Sequence, residues 1–99
     1  MKVSIIVPTL NEELVLEGTL SQIQQLSPHE VIVTDGGSKD DTCKIANRLN
    51  LHVIASPPGR SLQMNAGAKE ATGDILLFLH ADNRLESESY QKMLECMKN

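Results

Sequence analysis

The sequence predicts an α/β protein in which helices cover both faces of a mostly parallel β-sheet. Three observations support this fold class. Short apolar, β-branched runs alternate along the chain with longer segments of helical periodicity, which is the pattern of repeated βαβ units. The last apolar run, "ILLFL", lacks the alternation of a half-exposed strand and is typical of a parallel strand buried on both faces. Polar residues also cluster directly after each of the four predicted strands.

The composition is that of one small globular domain. The chain has 99 residues, of which 40% are apolar, enough for a core without disulfides or metals. Nine basic residues against 13 acidic ones give a net charge of −4, and only one tyrosine and one phenylalanine are present. This balance argues against a nucleic-acid-binding protein, which usually carries a basic face or stacking rings.

The cysteines and the apolar runs bear on the compartment. Cys43 and Cys96 lie far apart and fit neither a zinc pair nor a disulfide framework, so we expect free thiols in a reducing, cytoplasmic environment. The longest uninterrupted apolar run, Ile75 to Leu79, is too short to cross a bilayer. The sequence therefore predicts no membrane span.

The first strand is predicted from Val3 to Val7, with Pro8 ending it. Asn11 is expected to cap the following helix, which Pro28 closes. The apolar stripe of this helix recurs at helical spacing and consists of Leu16, Leu20 and Ile23.

The second strand is predicted in "EVIVT". Ser38 and Asp41 then have the spacing of a capping box. The helix that they would start is expected to bury Ile45 and Leu49.

Two further strand–helix pairs complete the predicted fold. "LHVIA" is a third strand, and a helix rich in small residues is expected from about Arg60 to Ala71, with Gly73 suited to its C-terminal cap. The fourth strand is "ILLFL", and the apolar stripe of the last helix consists of Tyr90, Met93, Leu94 and Met97.

The chemically distinctive residues follow the strands. In parallel sheets, ligands bind beyond the carboxyl ends of the strands. At those ends the sequence reads "PTLNEE", "DGGSKDD", "SPPGR" and "HADN". Taken singly, each residue has a structural explanation: Asp35 as a turn former, Arg60 as a surface charge, Asp82 as a cap. Their meeting on one rim, which His80 shares and His29 and His52 do not, favours a binding site.

Several nucleotide and catalytic sites are disfavoured by the same segments. The first loop contains neither G-x-G-x-x-G nor a P-loop, so no glycine turn admits a phosphate to the first helix. No Ser-His-Asp arrangement is evident. A phosphorylatable receiver domain would need an aspartate after the third strand, where the chain instead reads "ASPPG".

The segments "VSIIVPTLNEE", "VIVTDGGSKDDT" and "QMNAGAKEATGDILLFLHADN" resemble, in order and spacing, the successive blocks of family 2 glycosyltransferases. The resemblance runs from Val3 to about Leu85. It implies the A-type nucleotide-sugar-binding fold, a three-layer sandwich with strand order 3-2-1-4. It also implies transfer of a sugar from a nucleotide-diphosphate-sugar to an acceptor hydroxyl, by an inverting displacement.

The resemblance further implies roles for nine residues. Asp35 would accept a hydrogen bond from the base, typically the N3–H of uracil, with Gly36 leaving room for the flat ring. Arg60 would approach the diphosphate, which a planar cation can pair with. Asp82 would hold Mg²⁺ or Mn²⁺, and His80 would bond the ribose or a phosphate. The nucleotide pocket would be lined by Pro8, Thr9, Leu10 and Glu12.

The sequence departs from the family pattern in two respects. His80 stands where the family's Asp-x-Asp motif has its first carboxylate, so metal affinity without nucleotide should be poor. Family members are about twice this long or longer, and their second half supplies the acceptor site and the general base. We therefore expect residues 1–99 to form the donor-binding half, with no catalytic residue of its own. The alternative is a nucleotide-binding or assembly module without turnover.

The resemblance also leads to a prediction about assembly. In the order 3-2-1-4 the fourth strand is an edge, and no charge interrupts it between Ile75 and Leu79. An apolar edge with unpaired backbone groups is a template for association. We therefore expect a homo-oligomer, most simply a two-fold dimer, through this strand.

Overall fold

A computed structural model describes residues 1–82 and 86–97. Strands and helices alternate along the chain, as the sequence predicts. The elements are β1 (Val3–Thr9), α1 (Glu13–Gln25), β2 (Glu30–Asp35), α2 (Thr42–Arg48), β3 (His52–Ala55), α3 (Arg60–Glu70), β4 (Ile75–Phe78) and α4 (Ser87–Met97).

The four strands form one sheet in the order β3-β2-β1-β4, and each neighbouring pair is parallel. Both the order and the direction agree with the prediction. Since the crossovers return every strand to the same starting edge, the carboxyl ends of all four strands lie at one edge. None of the helices in the described residues is long and apolar enough to cross a membrane.

Helices cover both faces of the sheet, which confirms the three-layer architecture. One face packs against α1, α2 and α4, and the predicted stripe of α1 is fully buried there. Ile45 of α2 and Tyr90 of α4 join this core, with Leu49, Met93 and Leu94 packed partly against it. The side chain of Met97, the fourth residue of the predicted stripe, lies outside the described residues.

The opposite face packs closely against α3, because a glycine lies at the contact. A Cβ on Gly67 would stand 2.5 Å from Cγ2 of Ile6 and 3.0 Å from Cγ2 of Thr34. The missing side chain therefore lets the α3 backbone approach β1 and β2. This approach sets the position of the first turn of α3 at the carboxyl edge.

The prediction that β4 is buried on both faces is wrong. Ile75 and Leu77 pack against the core, but Leu76 is 40% exposed and Phe78 is 41% exposed. The reason is that α3 packs on β1 and β2 and leaves the adjoining part of this face uncovered. In this chain, the non-alternating apolar run therefore belongs to a strand with one exposed face, because α3 does not cover it.

Pro8 does not end β1, which continues to Thr9. Successive residues of a strand direct their backbone groups to alternate sides. Thr9 bonds toward β2 through Gly36, and Ile6 bonds toward β4 through Leu79. The missing N–H of Pro8 therefore faces the β4 side, beyond the last β1–β4 pair, where no ladder bond is lost.

Gly73 does not cap α3, which closes at Ala71 in an extended conformation. Gly73 instead allows close contact at the amino-terminal edge, where its N–H donates to Oγ of Ser4 at 2.9 Å. The Ser4 hydroxyl in turn donates to the Glu30 carboxylate at 2.5 Å, and the N–H of Thr72 donates to the same oxygen at 2.6 Å. Glu30 thus fastens the α3–β4 connection to the start of the sheet.

Candidate active site

A narrow cleft opens at the carboxyl-terminal edge of the sheet. It encloses about 190 Å³ and is lined by Pro8, Thr9, Leu10, Glu12, Arg60, Gln63 and His80. Larger clefts of about 430 and 580 Å³ lie at the amino-terminal edge and between α3 and the end of β3. Of the three, the small cleft alone combines a carboxylate, a guanidinium and an imidazole. It also lies where ligands bind in parallel α/β sheets, so we take it as the candidate site.

Six of the nine predicted site residues line this cleft, and three do not. Asp35 and Gly36 lie behind it, where Oγ1 of Thr9 donates to Oδ1 of Asp35 at 2.9 Å and the Gly36 N–H donates to the Thr9 carbonyl at 3.0 Å. Asp82 is exposed and close enough to Glu12 to affect its pKa. The six residues in the lining are Pro8, Thr9, Leu10, Glu12, Arg60 and His80.

The pKa of Glu12 depends on its burial and on the charged groups around the cleft. Burial raises the pKa of its carboxyl, the negative charge of Asp82 raises it further, His80 opposes the rise, and Asp40 adds to it. Arg60 forms no ion pair within the described residues, so its guanidinium is available to a ligand. The cleft therefore holds a surplus of negative potential near Glu12 and an unpaired cation at the start of α3.

Asp35 is almost completely buried, and its acceptor positions are filled by Thr9 of β1 and by its own turn. Oδ1 accepts the hydroxyls of Thr9 and Ser38, at 2.9 and 2.5 Å, and Oδ2 accepts the N–H groups of Gly37 and Ser38, at 3.0 and 2.8 Å. Burial raises the pKa of this carboxyl, but the bonds from Ser38, Thr9 and Gly37 together hold it below its usual value. A carboxylate has about four lone-pair sites, so a base N–H would have to replace one of these donors.

The loops after β1 and β2 are tied together by their polar groups. The N–H of Asn11 donates to Oγ of Ser38 at 2.8 Å, and Oδ1 of Asn11 accepts the N–H of Lys39 at 2.8 Å. Asn11 adopts a positive φ of 54°, which asparagine tolerates better than most residues. Asn11, the predicted cap of α1, therefore does not cap that helix, because its side-chain amide accepts a hydrogen bond from the loop after β2.

The first N–H groups of α1 and α2 are satisfied reciprocally by the opposite loop. Oγ1 of Thr42 accepts the Glu12 N–H at 2.8 Å, and Oδ2 of Asp40 accepts the Glu13 N–H at 3.2 Å. In return, Oε2 of Glu13 accepts the N–H of Asp41 at 3.2 Å. The predicted capping box is wrong, since Asp41 is the N-cap of α2 without a side-chain bond and Ser38 is held by Asp35.

Sequence reasoning missed Gln63, which lines the cleft and is buried among backbone groups. A usable signal was present in the spacing. Gln63 follows Arg60 by three residues, so the two side chains lie on one face of a helix. A glutamine on a helix otherwise rich in small residues also needs partners when it is buried.

Comparisons with known proteins identify the family. The model of "Glycosyl transferase family 2" matches residues 4–99. The chain belongs to glycosyltransferase family 2. A dolichol-phosphate mannosyltransferase of Pyrococcus furiosus is 36% identical to this family 2 chain over 108 residues, covering 100% of it and 31% of the relative. A PGL/p-HBAD biosynthesis glycosyltransferase of Mycobacterium bovis is 42% identical over 92 residues, covering 83% and 36%.

Solved structures of similar proteins share the fold of this family 2 chain. Staphylococcus aureus TarS (residues 1–349) superposes with a TM-score of 0.83 at 28% identity, over 99% of this chain and 32% of TarS. Glucosyl-3-phosphoglycerate synthase of Mycobacterium tuberculosis, in complex with Mn²⁺, UDP and glucosyl-3-phosphoglycerate, gives 0.75 at 26% identity, over 84% of this chain and 35% of the synthase. The chain thus spans about a third of the length of these proteins.

The reciprocal capping generates a prediction with a matched control. Thr42 and Thr34 are both fully buried, but Oγ1 of Thr42 bonds the Glu12 N–H and Asp40, whereas Oγ1 of Thr34 has no partner among the described residues. Thr42→Val should lower the free energy of unfolding by about 1–2 kcal/mol. Thr34→Val, which removes an unsatisfied hydroxyl, should be neutral or stabilising. Urea unfolding at pH 7 measures both.

The stabilities of the variants Thr42→Val and Thr34→Val should respond differently to acid. The Thr42 hydroxyl, as the main cause, holds the pKa of Asp40 below its usual value. Stabilisation from a lowered carboxyl pKa is present above the unfolded value, near pH 4, and is lost as the pH falls through the folded value. The deficit of Thr42→Val should therefore shrink below about pH 4. Equal losses for the two valine variants at pH 7 would contradict the capping role.

Proposed function

We propose that this chain is the donor-binding part of a glycosyltransferase that transfers a sugar from a nucleotide-diphosphate-sugar to an acceptor hydroxyl, with inversion. The observation that carries the proposal is the meeting of Glu12, Arg60 and His80 in one cleft at the carboxyl edge of a family 2 fold. The UDP complex of the M. tuberculosis synthase supports a uridine nucleotide as ligand. The proposal covers donor binding and assigns no general base to the described residues.

Each cleft residue has a proposed task in holding the donor. Arg60 pairs with the diphosphate, because a guanidinium matches phosphate oxygens geometrically and its charge offsets theirs. His80 bonds the ribose or a phosphate from the other side. The walls of the nucleotide pocket are formed by Pro8, Thr9, Leu10 and Glu12. The expected space for the base beside Gly36 is filled by Gln63 and Pro58, because a Cβ on Gly36 would stand 2.9 Å from Oε1 of Gln63 and 3.1 Å from Cα of Pro58.

Base recognition is proposed to run through Asp35, although its carboxylate is already occupied. Among the donors to Asp35, the hydroxyls of Ser38 and Thr9 can rotate without moving the backbone, and we propose that a base N–H replaces the Ser38 hydroxyl at Oδ1. The Ser38 oxygen also accepts the Asn11 N–H, so the exchange moves this oxygen away from Oδ1 and gives up that bond.

A divalent metal ion fits the cleft only in part. Among residues 1–82 and 86–97, no three His, Cys, Asp or Glu side chains are grouped to hold a metal. Burial is the main cause that raises the pKa of Glu12, and the negative charge of Asp82 adds to it; these neighbouring carboxylates nevertheless favour a cation beside Asp82. We propose that Asp82, with His80 nearby, holds Mg²⁺ or Mn²⁺ only once diphosphate oxygens complete the ligand set. Such an ion, when bound, neutralises charge on the diphosphate leaving group.

The compartment is proposed to be the cytoplasm. Cys43 and Cys96 are both free thiols, which is typical of proteins in reducing surroundings. Burial and a hydrogen bond to Asp35 raise the pKa of the Cys43 thiol, so it stays protonated and poorly reactive.

Nucleotide binding tests the proposed function. UDP should bind the wild-type chain weakly and more tightly than CDP, because cytosine lacks the N3–H that Asp35 would accept. Asp35→Ala should weaken UDP by about 1–3 kcal/mol, the cost of leaving a desolvated donor unpaired. Ser38→Ala removes the competing hydroxyl and should widen the preference for UDP. Isothermal titration calorimetry measures the affinities of the wild type and of Ser38→Ala for UDP and CDP, and that of Asp35→Ala for UDP.

Ser89→Ala, an exposed change on α4, is the control for Ser38→Ala. Folded protein that gives no heat with any nucleoside diphosphate would overturn the proposed function. Equal affinities for UDP and CDP that Ser38→Ala leaves equal would overturn only the assignment of Asp35.

Metal dependence gives a separate prediction. Mn²⁺ should bind the free chain feebly and should strengthen UDP binding several-fold. Asp82→Asn should abolish this enhancement and leave metal-free UDP binding largely intact, whereas Glu70→Gln, an exposed change at the end of α3, should alter neither. Tight Mn²⁺ binding to the free chain, unaffected by Asp82→Asn, would show that the metal site lies elsewhere.

The exposed face of β4 supports the proposal that the 99-residue chain forms a homo-oligomer. Leu76 and Phe78 lie side by side on an edge strand that α3 leaves uncovered. Sedimentation at high micromolar concentration should show a dimer that Phe78→Lys dissociates. Leu14→Lys, at an isolated and 96% exposed apolar residue of α1, should leave the dimer intact. A soluble wild-type monomer would contradict this proposal.

A further inference from the structure

Gln63 joins three elements of the fold through a single buried carboxamide. Its Nε2 donates to the carbonyls of Thr9 and Thr34, at 2.8 and 2.9 Å, and its Oε1 accepts the N–H of Gly59 at 3.1 Å. The side chain is only 5% exposed. The end of β1, the end of β2 and the residue before α3 are therefore held at one point.

The arrangement requires a primary amide. Two strand carbonyls need two donors, and the Gly59 N–H needs an acceptor, which glutamine alone supplies at this length. A leucine of similar size would remove the bonds to all three backbone groups and would leave the Thr9 carbonyl with the Gly36 N–H as its remaining donor. An ionised glutamate would direct an oxygen at two carbonyl oxygens, while a protonated glutamic acid would restore one donor.

The carboxamide also fixes the segments that surround it. A Cβ on Gly36 would stand 2.9 Å from Oε1 of Gln63, so the loop after β2 packs directly against the amide. Gly59 has a φ of 138°, a conformation that side chains rarely adopt. The bond from its N–H to Oε1 of Gln63 therefore holds a turn that glycine adopts readily and other residues do not, and Arg60 is the next residue.

We infer that Gln63 is a positioning residue that fixes Arg60 against the ends of β1 and β2, so that the guanidinium meets the diphosphate of the donor. This inference rests on the proposed function. Gln63 acts through the backbone of Gly59 and through Thr9, both beside residues of the cleft lining. Its loss should therefore affect recognition of the diphosphate more than recognition of the nucleoside.

The ratio of UDP to UMP affinity tests this inference, with EDTA present to remove metal effects. In the wild type the ratio reports the contact of Arg60 with the second phosphate, and Arg60→Ala should lower it about tenfold. Gln63→Leu should lower the ratio by a similar factor, and the double variant should lower it no further, because both changes remove one interaction. A role in stability alone would lower the melting temperature and leave the ratio unchanged.

Gln63→Glu supplies a second variant with a distinct readout. Near pH 7 its carboxylate should oppose the carbonyls of Thr9 and Thr34 and weaken UDP binding. As the pH falls toward 5, protonation should return one donor, and the affinity relative to wild type at the same pH should recover. Gln24→Leu is the control, since its exposed side chain also bonds a backbone carbonyl, that of Leu49, at the opposite edge.

The outcomes separate this inference from the proposed function. A wild-type chain that binds no nucleotide overturns both. A wild-type ratio that falls with Arg60→Ala but not with either Gln63 variant overturns the positioning role alone. A recovery of Gln63→Glu at low pH, together with a lowered UDP-to-UMP ratio, supports it.

Discussion

Reciprocal capping of α1 and α2 is the interaction on which the candidate site depends. A parallel sheet brings the starts of consecutive helices to the same edge, and each helix arrives with unsatisfied N–H groups. Here the acceptors come from the opposite loop: Thr42 and Asp40 serve α1, and Glu13 serves the start of α2. Because each loop completes the other, neither can move independently. The cleft residues next to these loops are therefore held in place as well.

Charge is distributed unevenly along that edge. Burial raises the pKa of the Asp35 carboxyl, but hydrogen bonds from Thr9 and from the turn after β2 hold it below its usual value. Glu12 has no comparable set of donors, and burial, followed by the nearby Asp82 and Asp40, raises its pKa against the opposing effect of His80. At this edge, hydrogen-bond donors thus fill the acceptor positions of Asp35, whereas Glu12 lacks such donors. Arg60 stands at the same edge and forms no ion pair among the described residues.

The order of elements and the parallel sheet could be predicted from the residues, because apolar runs and helical stripes are local signals. The strand at the edge of the sheet follows from the resemblance to family 2 glycosyltransferases and not from those signals. Six of the nine proposed site residues meet in the cleft because they follow the carboxyl ends of strands. The caps could not be predicted, because Asn11 and Ser38 bond across loops and not within their own helices. The exposure of Phe78 could not be predicted either, because it depends on which strands α3 covers. The role of Gln63 depends on two backbone carbonyls that lie 29 and 54 residues away in sequence.

The opposite edge of the sheet has a different design. Glu30 gathers Ser4 and Thr72 there, and Gly73 closes the contact. Burial raises the pKa of Glu30, but these bonds hold it below its usual value, so the cluster stays ionised and closed. Since this cluster shares no residue with the cleft, the framework and the ligand-binding edge are separable. Substitutions in the carboxyl-edge loops can thus change the lining of the cleft, during evolution or by engineering, while the anchor that keeps the sheet together is left alone.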